Sequence, residues 1–88
     1  MLPIEYTNAF KRDFKKHAGL ALSENWIEAL YCLCQQSPLP AKYRDHALTG
    51  NWQGFRDCHI QPDLVLIYRQ TERSLELIRI GSHATLFG

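Results

Sequence analysis

Eighty-eight residues leave room for one small domain, and residues 1–88 are expected to form a single unit. The mixture of 45% hydrophobic, 22% charged and 11% aromatic residues excludes a disordered tail, a collagen-like rod or a low-complexity linker, and a formal charge of +1 announces no nucleic-acid binder by global charge alone. No apolar run approaches the roughly 18 residues that cross a bilayer, and the amino terminus shows no basic segment followed by a signal-length apolar stretch, so a cytoplasmic protein with no membrane partner is expected.

The stretch Met1–Tyr6 alternates weakly and suits a short strand, one edge of which Pro3 keeps from pairing. Thr7 or Asn8 then caps a first helix in which Phe10, Phe14 and Ala18 recur at helical spacing, with Gly19 as the stop. Between those apolar positions lie Lys11, Arg12, Lys15 and Lys16 against the single acid Asp13, a basic patch that reads either as a solvated helix face or as a phosphate-contacting surface. Ser23 is a second cap with Glu24 in the first turn, and Trp26, Ile27, Leu30, Leu33 and Cys34 form the apolar stripe of a helix ending near Gln36. Ser37-Pro38-Leu39-Pro40 cannot continue it, because each proline lacks a donor and restricts its neighbour. Three cysteines argue against a closed disulfide framework. Cys32 and Cys34 stand two helical positions apart, roughly 200° around the axis, so they are a poor metal pair; Cys34 and Cys58 read as core.

From Tyr43 the texture changes to short strands: Asp45–Leu48, a Gly50-Asn51 loop, Gly54–Ile60, Leu64–Gln70 and Ser74–Ile80. The expected fold is α+β, a helical hairpin on one face of a small antiparallel sheet, with Val65, Ile67, Ile78 and Ile80 turned toward the helices. If Gln61-Pro62-Asp63 turns one hairpin and Thr71–Ser74 the next, positions 62 and 83 face one another, so His59, Asp63 and His83 converge at one end of the sheet. The same count sets Leu66 opposite Arg79 and brings that arginine near the histidines, on the face that carries Leu64 and Leu66. A slip of one residue in either turn exchanges the faces.

Each of His46, His59 and His83, taken alone, reads as a solvated loop residue; together they suit a reaction that needs both a base and an acid near neutral pH. Asp63 would orient an imidazole and Arg79 would neutralise charge on a phosphoryl oxygen. RNA cleavage uses that combination: a 2′-hydroxyl is deprotonated, a crowded phosphorane is stabilised and the departing 5′-oxygen is protonated, with no metal and no cofactor. Zinc binding by His46, His59, His83 and Asp63 is the other reading, although their spacing matches no compact metal motif.

Asp45-His46, Gly50-x-Trp52-x-Gly54, Arg56-Asp57-x-His59-x-x-x-Asp63 and Gly81-Ser82-His83-x-x-x-Phe87, in that order, closely resemble the YafQ branch of the RelE-like toxins over essentially the whole chain. The resemblance implies a RelE-like fold and the toxin of a type II toxin-antitoxin system: a ribosome-dependent endoribonuclease, an mRNA interferase that cuts messenger in the aminoacyl site and so inhibits translation. It implies as partners the 70S ribosome with its mRNA and a cognate DinJ/RelB-like antitoxin, through which alone operator DNA is bound. The family's catalytic set falls on His46, His59, Asp63 and His83, with Arg79 and Phe87 at further functional positions. Roles expected within it are His83 as general acid, Asp63 with His59 as the base or its orienting partner, and His46 as a phosphate-positioning group. Phe87 would stack on a messenger base or close an edge of the core; Arg56 would contact phosphate or pair with Asp57 or Asp45; Trp52 and Tyr43 would pack around the loop. Lys11, Arg12, Lys15 and Lys16 would grip ribosomal RNA. The alternative is a toxin without catalysis that binds another target, as ParE-type proteins poison DNA gyrase.

Overall fold

The computed structural model describes residues 1–88. Its strands are β1 (Ile4–Tyr6), β2 (His46–Ala47), β3 (Arg56–Gln61), β4 (Leu64–Gln70) and β5 (Leu75–Gly81); its helices are α1 (Asn8–Lys15), α2 (Glu24–Gln35) and α3 (His83–Phe87). They form one mixed sheet in the order β1-β5-β4-β3-β2, antiparallel except where β1 runs parallel to β5. The fold is therefore α+β as the sequence implies, with the first strand joining from the far edge.

Both caps act as expected. Thr7 Oγ1 accepts from Phe10 N, and Ser23 Oγ accepts from Trp26 N, each satisfying an orphan donor of the first turn. The end of the first helix differs. It stops at Lys15, and Gly19 lies inside a 3₁₀ segment, Ala18–Leu22, which folds back toward α2. α2 closes on Gln36 in the left-handed conformation at φ 59°, where Ser37 N donates to Cys32 O. Ile27 is half-exposed rather than part of the apolar stripe, and Ala29, fully buried, takes its place.

The sheet buries apolar side chains on both faces, and the assignment of faces corrects the sequence reading. Phe10, Trp26 and Leu33 of the helices pack with Cys58, Ile60, Leu64, Leu66, Tyr68, Leu75, Leu77 and Ile80. Of the four residues expected there, only Ile80 is present. Val65, Ile67 and Ile78 turn to the opposite face, where they meet Leu86 of α3 with Trp52, Phe55 and Leu48. Val65 and Ile67 follow the unbroken alternation of β4, whose Leu64, Leu66 and Tyr68 take the helix side, whereas a β-bulge separates Ile78 from Ile80. Near the turn the pairing follows the simple count, with Gln70 opposite Leu75 and Tyr68 opposite Leu77, but beyond Ile67 it slips, so Leu66 lies opposite Ile80 and Ile67 opposite Arg79. One extra residue in β5 shifts the alternation, and Leu77 and Ile80 share a face although three positions apart.

The bulge also redirects Arg79. β1 covers only Leu75–Leu77, and α1 continues along the rest of β5: Thr7 Oγ1 donates to Ile78 O, and Asp13 Oδ2 accepts from Ile80 N. Arg79 Nε and Nη2 donate to the two Asp13 oxygens at 2.6 and 3.1 Å. Arg79 is thus held against α1 by a two-point ion pair and is not brought to the imidazole group.

Candidate active site

Three strand ends and one short helix assemble the opposite face. β2 pairs with β3 so that His46 lies opposite Asp57, and alternation along β3 puts His59 on the same side, two residues on. Gly54, at φ 94°, allows the tight return between β2 and β3. Ser82 caps α3 by accepting from Thr85 N, which sets His83 on its first turn. At five residues, this helix shows no apolar period in the sequence.

The result is a row of imidazoles. The ring centroids of His46 and His59 are 6.5 Å apart, and those of His59 and His83 5.0 Å. His83 Nδ1 lies 3.4 Å from Asp63 Oδ1, which also accepts from His83 N at 3.3 Å. The four residues named from sequence therefore meet on one surface, His46 and His83 each about half exposed to solvent. The carboxylate of Asp63 is applied to His83, at one end of the row.

His46 Nδ1 is 2.8 Å from the carbonyl oxygen of Arg44. A carbonyl only accepts, so Nδ1 carries the hydrogen and Nε2 of the neutral ring is left with its lone pair free. The same nitrogen lies 3.1 Å from Asp57 Oδ1, yet that oxygen, in a residue 2% exposed, receives no hydrogen bond. Burial raises the Asp57 pKa, and the opposing pull of His46, His59 and His83 does not restore it. Asp57 is the residue the sequence reading underused, having taken it only as a partner for Arg56. Its position two residues before His59 and opposite His46 is the pattern that carries it into the site.

Around this centre the supports are well defined. Arg56 Nε and Nη2 each donate to Asp45 at 3.3 Å, and the Tyr68 hydroxyl donates to the same carboxylate, tying the chain before β2 to β3 and β4. This is the internal ion pair that the sequence left open for Arg56. Tyr43 is buried and donates to Glu28 Oε1 at 2.6 Å, so it packs as expected. Trp52 meets Phe55 and Phe87 edge-on, and Phe87 lies 5.8 Å from the His83 ring while remaining 40% exposed. Lys11, Arg12, Lys15 and Lys16 are all exposed on α1 and the residue after it. Cys34 and Cys58 are buried free thiols. No three His, Cys, Asp or Glu side chains are arranged to hold a metal ion.

The family model described as the bacterial toxin of a type II toxin-antitoxin system, YafQ, matches residues 2–88. The chain belongs to the YafQ toxin family. It is 41% identical over 87 residues to the mRNA interferase toxin YafQ of Escherichia coli K12, covering 97% of this chain and 95% of that one. It is similar in structure to the toxin in the E. coli DinJ-YafQ toxin-antitoxin complex, with TM-score 0.83, 38% identity and coverage of 99% and 98% of the two chains. A metal-bound toxin from Helicobacter pylori superposes with TM-score 0.87 at 38% identity, over 99% of this chain and all of that one. Within the YafQ fold, then, the imidazole row occupies the sheet face away from the two long helices.

Proposed function

We propose that residues 1–88 act as one toxin domain, a ribosome-dependent endoribonuclease that cuts messenger RNA in the aminoacyl site and arrests translation in the cytoplasm. The observation that carries this reading is the row His46, His59 and His83, at 6.5 and 5.0 Å spacing, with a carboxylate at one end and a free imidazole lone pair at the other. The relative named an mRNA interferase supports the substrate, and the DinJ-YafQ complex supports a DinJ-like antitoxin as partner, with operator DNA reached only through it.

The chemistry follows from the donors and acceptors. His46, expected from sequence to position phosphate, is the imidazole with a free lone pair, and Asp63 turns to His83 instead of to a base. His46 Nε2 therefore takes the proton of the ribose 2′-hydroxyl, and the resulting oxygen attacks the adjacent phosphorus. His59, between the two, faces the phosphorane oxygens, where a donor stabilises the charge that develops. His83, its Nδ1–H turned to Asp63, gives its other proton to the leaving 5′-oxygen as the P–O bond breaks. The products are a 2′,3′-cyclic phosphate and a 5′-hydroxyl, and no step requires a metal. Phe87 beside His83 is available to stack on the base of the downstream nucleotide, an interaction worth about 1–3 kcal/mol. Arg56 and Arg79, engaged by Asp45 and Asp13, serve as supports for the strands rather than as phosphate contacts. The cations of α1, which form no ion pairs, grip ribosomal RNA.

Replacing His83 by Ala tests the assignment. Cleavage of translating messenger is expected to fall by about 10²–10⁴ and growth arrest to be relieved, while antitoxin affinity stays close to the parent's. Undiminished cutting by His83→Ala contradicts the acid role.

A further inference from the structure

A cleft of about 290 Å³ opens beside His59, with Asn25, Lys42, Arg44, Gln61 and Pro62 among its lining residues. Its lining holds His59 and none of His46, His83 and Phe87, and Arg44, whose carbonyl accepts from His46 Nδ1, ties it to the His46 side of the row. Of the five arginines from residue 44 onward, Arg56, Arg69 and Arg79 are neutralised by carboxylates and Arg73 sits in the β4–β5 turn. Arg44 is exposed, pairs with no acid and stands at the cleft.

The backbone of Arg44 is fixed from both sides. The 3₁₀ turn Ala41–Tyr43 ends on it with φ 50° and ψ 42°, the left-handed region, and its carbonyl is held by His46 Nδ1. Glycine or asparagine takes that conformation at lower cost, so an arginine there points to use of its side chain. Lys42 adds a second cation at the rim, tethered to Asn25 Oδ1 at 3.4 Å and Glu28 Oε1 at 3.6 Å. Gln61, exposed at the end of β3, offers an amide with donors and an acceptor for a base edge.

We propose that this cleft is a nucleotide subsite of the RNA, holding the nucleotide on the 5′ side of the scissile bond with its 5′-phosphate on Arg44 and its base beside Gln61. The inference rests on the nuclease reading, and it fixes the polarity of the strand. The group that gives its 2′-proton to His46 belongs to the upstream nucleotide, and the 5′-oxygen that receives a proton from His83 belongs to the downstream one. Messenger therefore crosses the site with its 5′ side over Arg44 and its 3′ side over His83 and Phe87.

The test uses the whole protein and dinucleotide probes made uncleavable by a 2′-O-methyl group on the first ribose. Binding is followed by NMR, reading the imidazole signals together with the amides of Arg44 and Gln61. Adding a 5′-phosphate to the probe is expected to tighten binding about tenfold, the size of one hydrogen-bonded charge contact. The gain should vanish in Arg44→Gly, which keeps the left-handed backbone, and survive in part in Arg44→Lys; Arg44→Asn repeats the test if the glycine variant unfolds. A 3′-phosphate should bind equally in parent and variant. A 5′-phosphate gain unchanged by removal of the Arg44 side chain overturns the subsite while leaving the nuclease reading intact. Probes that move none of the three imidazole signals, or a 5′-phosphate that brings no gain in the parent, overturn the subsite, while the nuclease reading stands or falls separately on the His83→Ala cleavage assay.

Discussion

Asp13 and Asp57 are both buried carboxylates on the same sheet, and they are treated in opposite ways. On the helix side Asp13 receives three hydrogen bonds, two from Arg79 and one from Ile80 N, and it closes the edge of β5 against α1. On the other side Asp57 keeps an oxygen with no donor, facing imidazoles that are half open to water. A satisfied buried charge specifies packing, whereas an unsatisfied one is a cost that persists only where something else uses it. The helix-covered face holds the fold together, and the α3 face carries the chemistry.

The largest effect expected from breaking this contrast is at Asp13. Burial raises its pKa, but the Arg79 and Ile80 hydrogen bonds and the nearby charges of Arg79 and Lys16 outweigh that and hold it below the ordinary value. A lowered carboxyl contributes stability that is present above its unfolded pKa and is lost as the pH falls through the folded one. Asp13→Asn should therefore cost about 3 kcal/mol at pH 7 in urea unfolding, and the difference from the parent should shrink below about pH 4. Equal stability at pH 7 would show that the pair is dispensable.

Asp57 carries the opposite sign. A raised carboxyl contributes stability that is complete below its unfolded pKa and is lost as the pH rises through the folded one. Asp57→Asn should raise Tm by about 5 °C at pH 7, with little difference below about pH 4, and should lower cleavage. A variant both less stable and fully active would reverse the account of this face. The smallest change in stability, within about 0.5 kcal/mol, is expected for Lys11→Glu combined with Lys15→Glu, both exposed. That pair should instead weaken cosedimentation with ribosomes, and undiminished cosedimentation would remove the basic patch from the function.

The sequence was informative where local chemistry decides structure. The Ser23 cap, the proline stop after α2 and the extent of β4 are all readable, since each depends on a few neighbouring side chains. The convergence of His59, Asp63 and His83 followed from counting along two hairpins, and it survived because the ends of a sheet stay close whichever face a residue takes. The faces themselves did not survive. A bulge near Ile78 adds one residue that neither composition nor alternation announces, and it separates Ile78 from Ile80 and moves Arg79. Val65 and Ile67 lie on an unbroken alternation whose two sides are both apolar, so the sequence does not say which side meets the helices. α3, at five residues, is too short to show a helical period. Asp57 was visible as a residue but not as a buried one, because it is buried between strands whose facing residues, His46 and Ile67, lie about ten positions away in either direction.

The most direct measurement is to map the ends of messenger cut during translation, with and without ribosomes and in the presence of a chelator. The account predicts cuts only on the ribosome, bearing 2′,3′-cyclic phosphate and 5′-hydroxyl termini and unaffected by chelation. Cuts that leave a 5′-phosphate, or that disappear when divalent ions are removed, would contradict it.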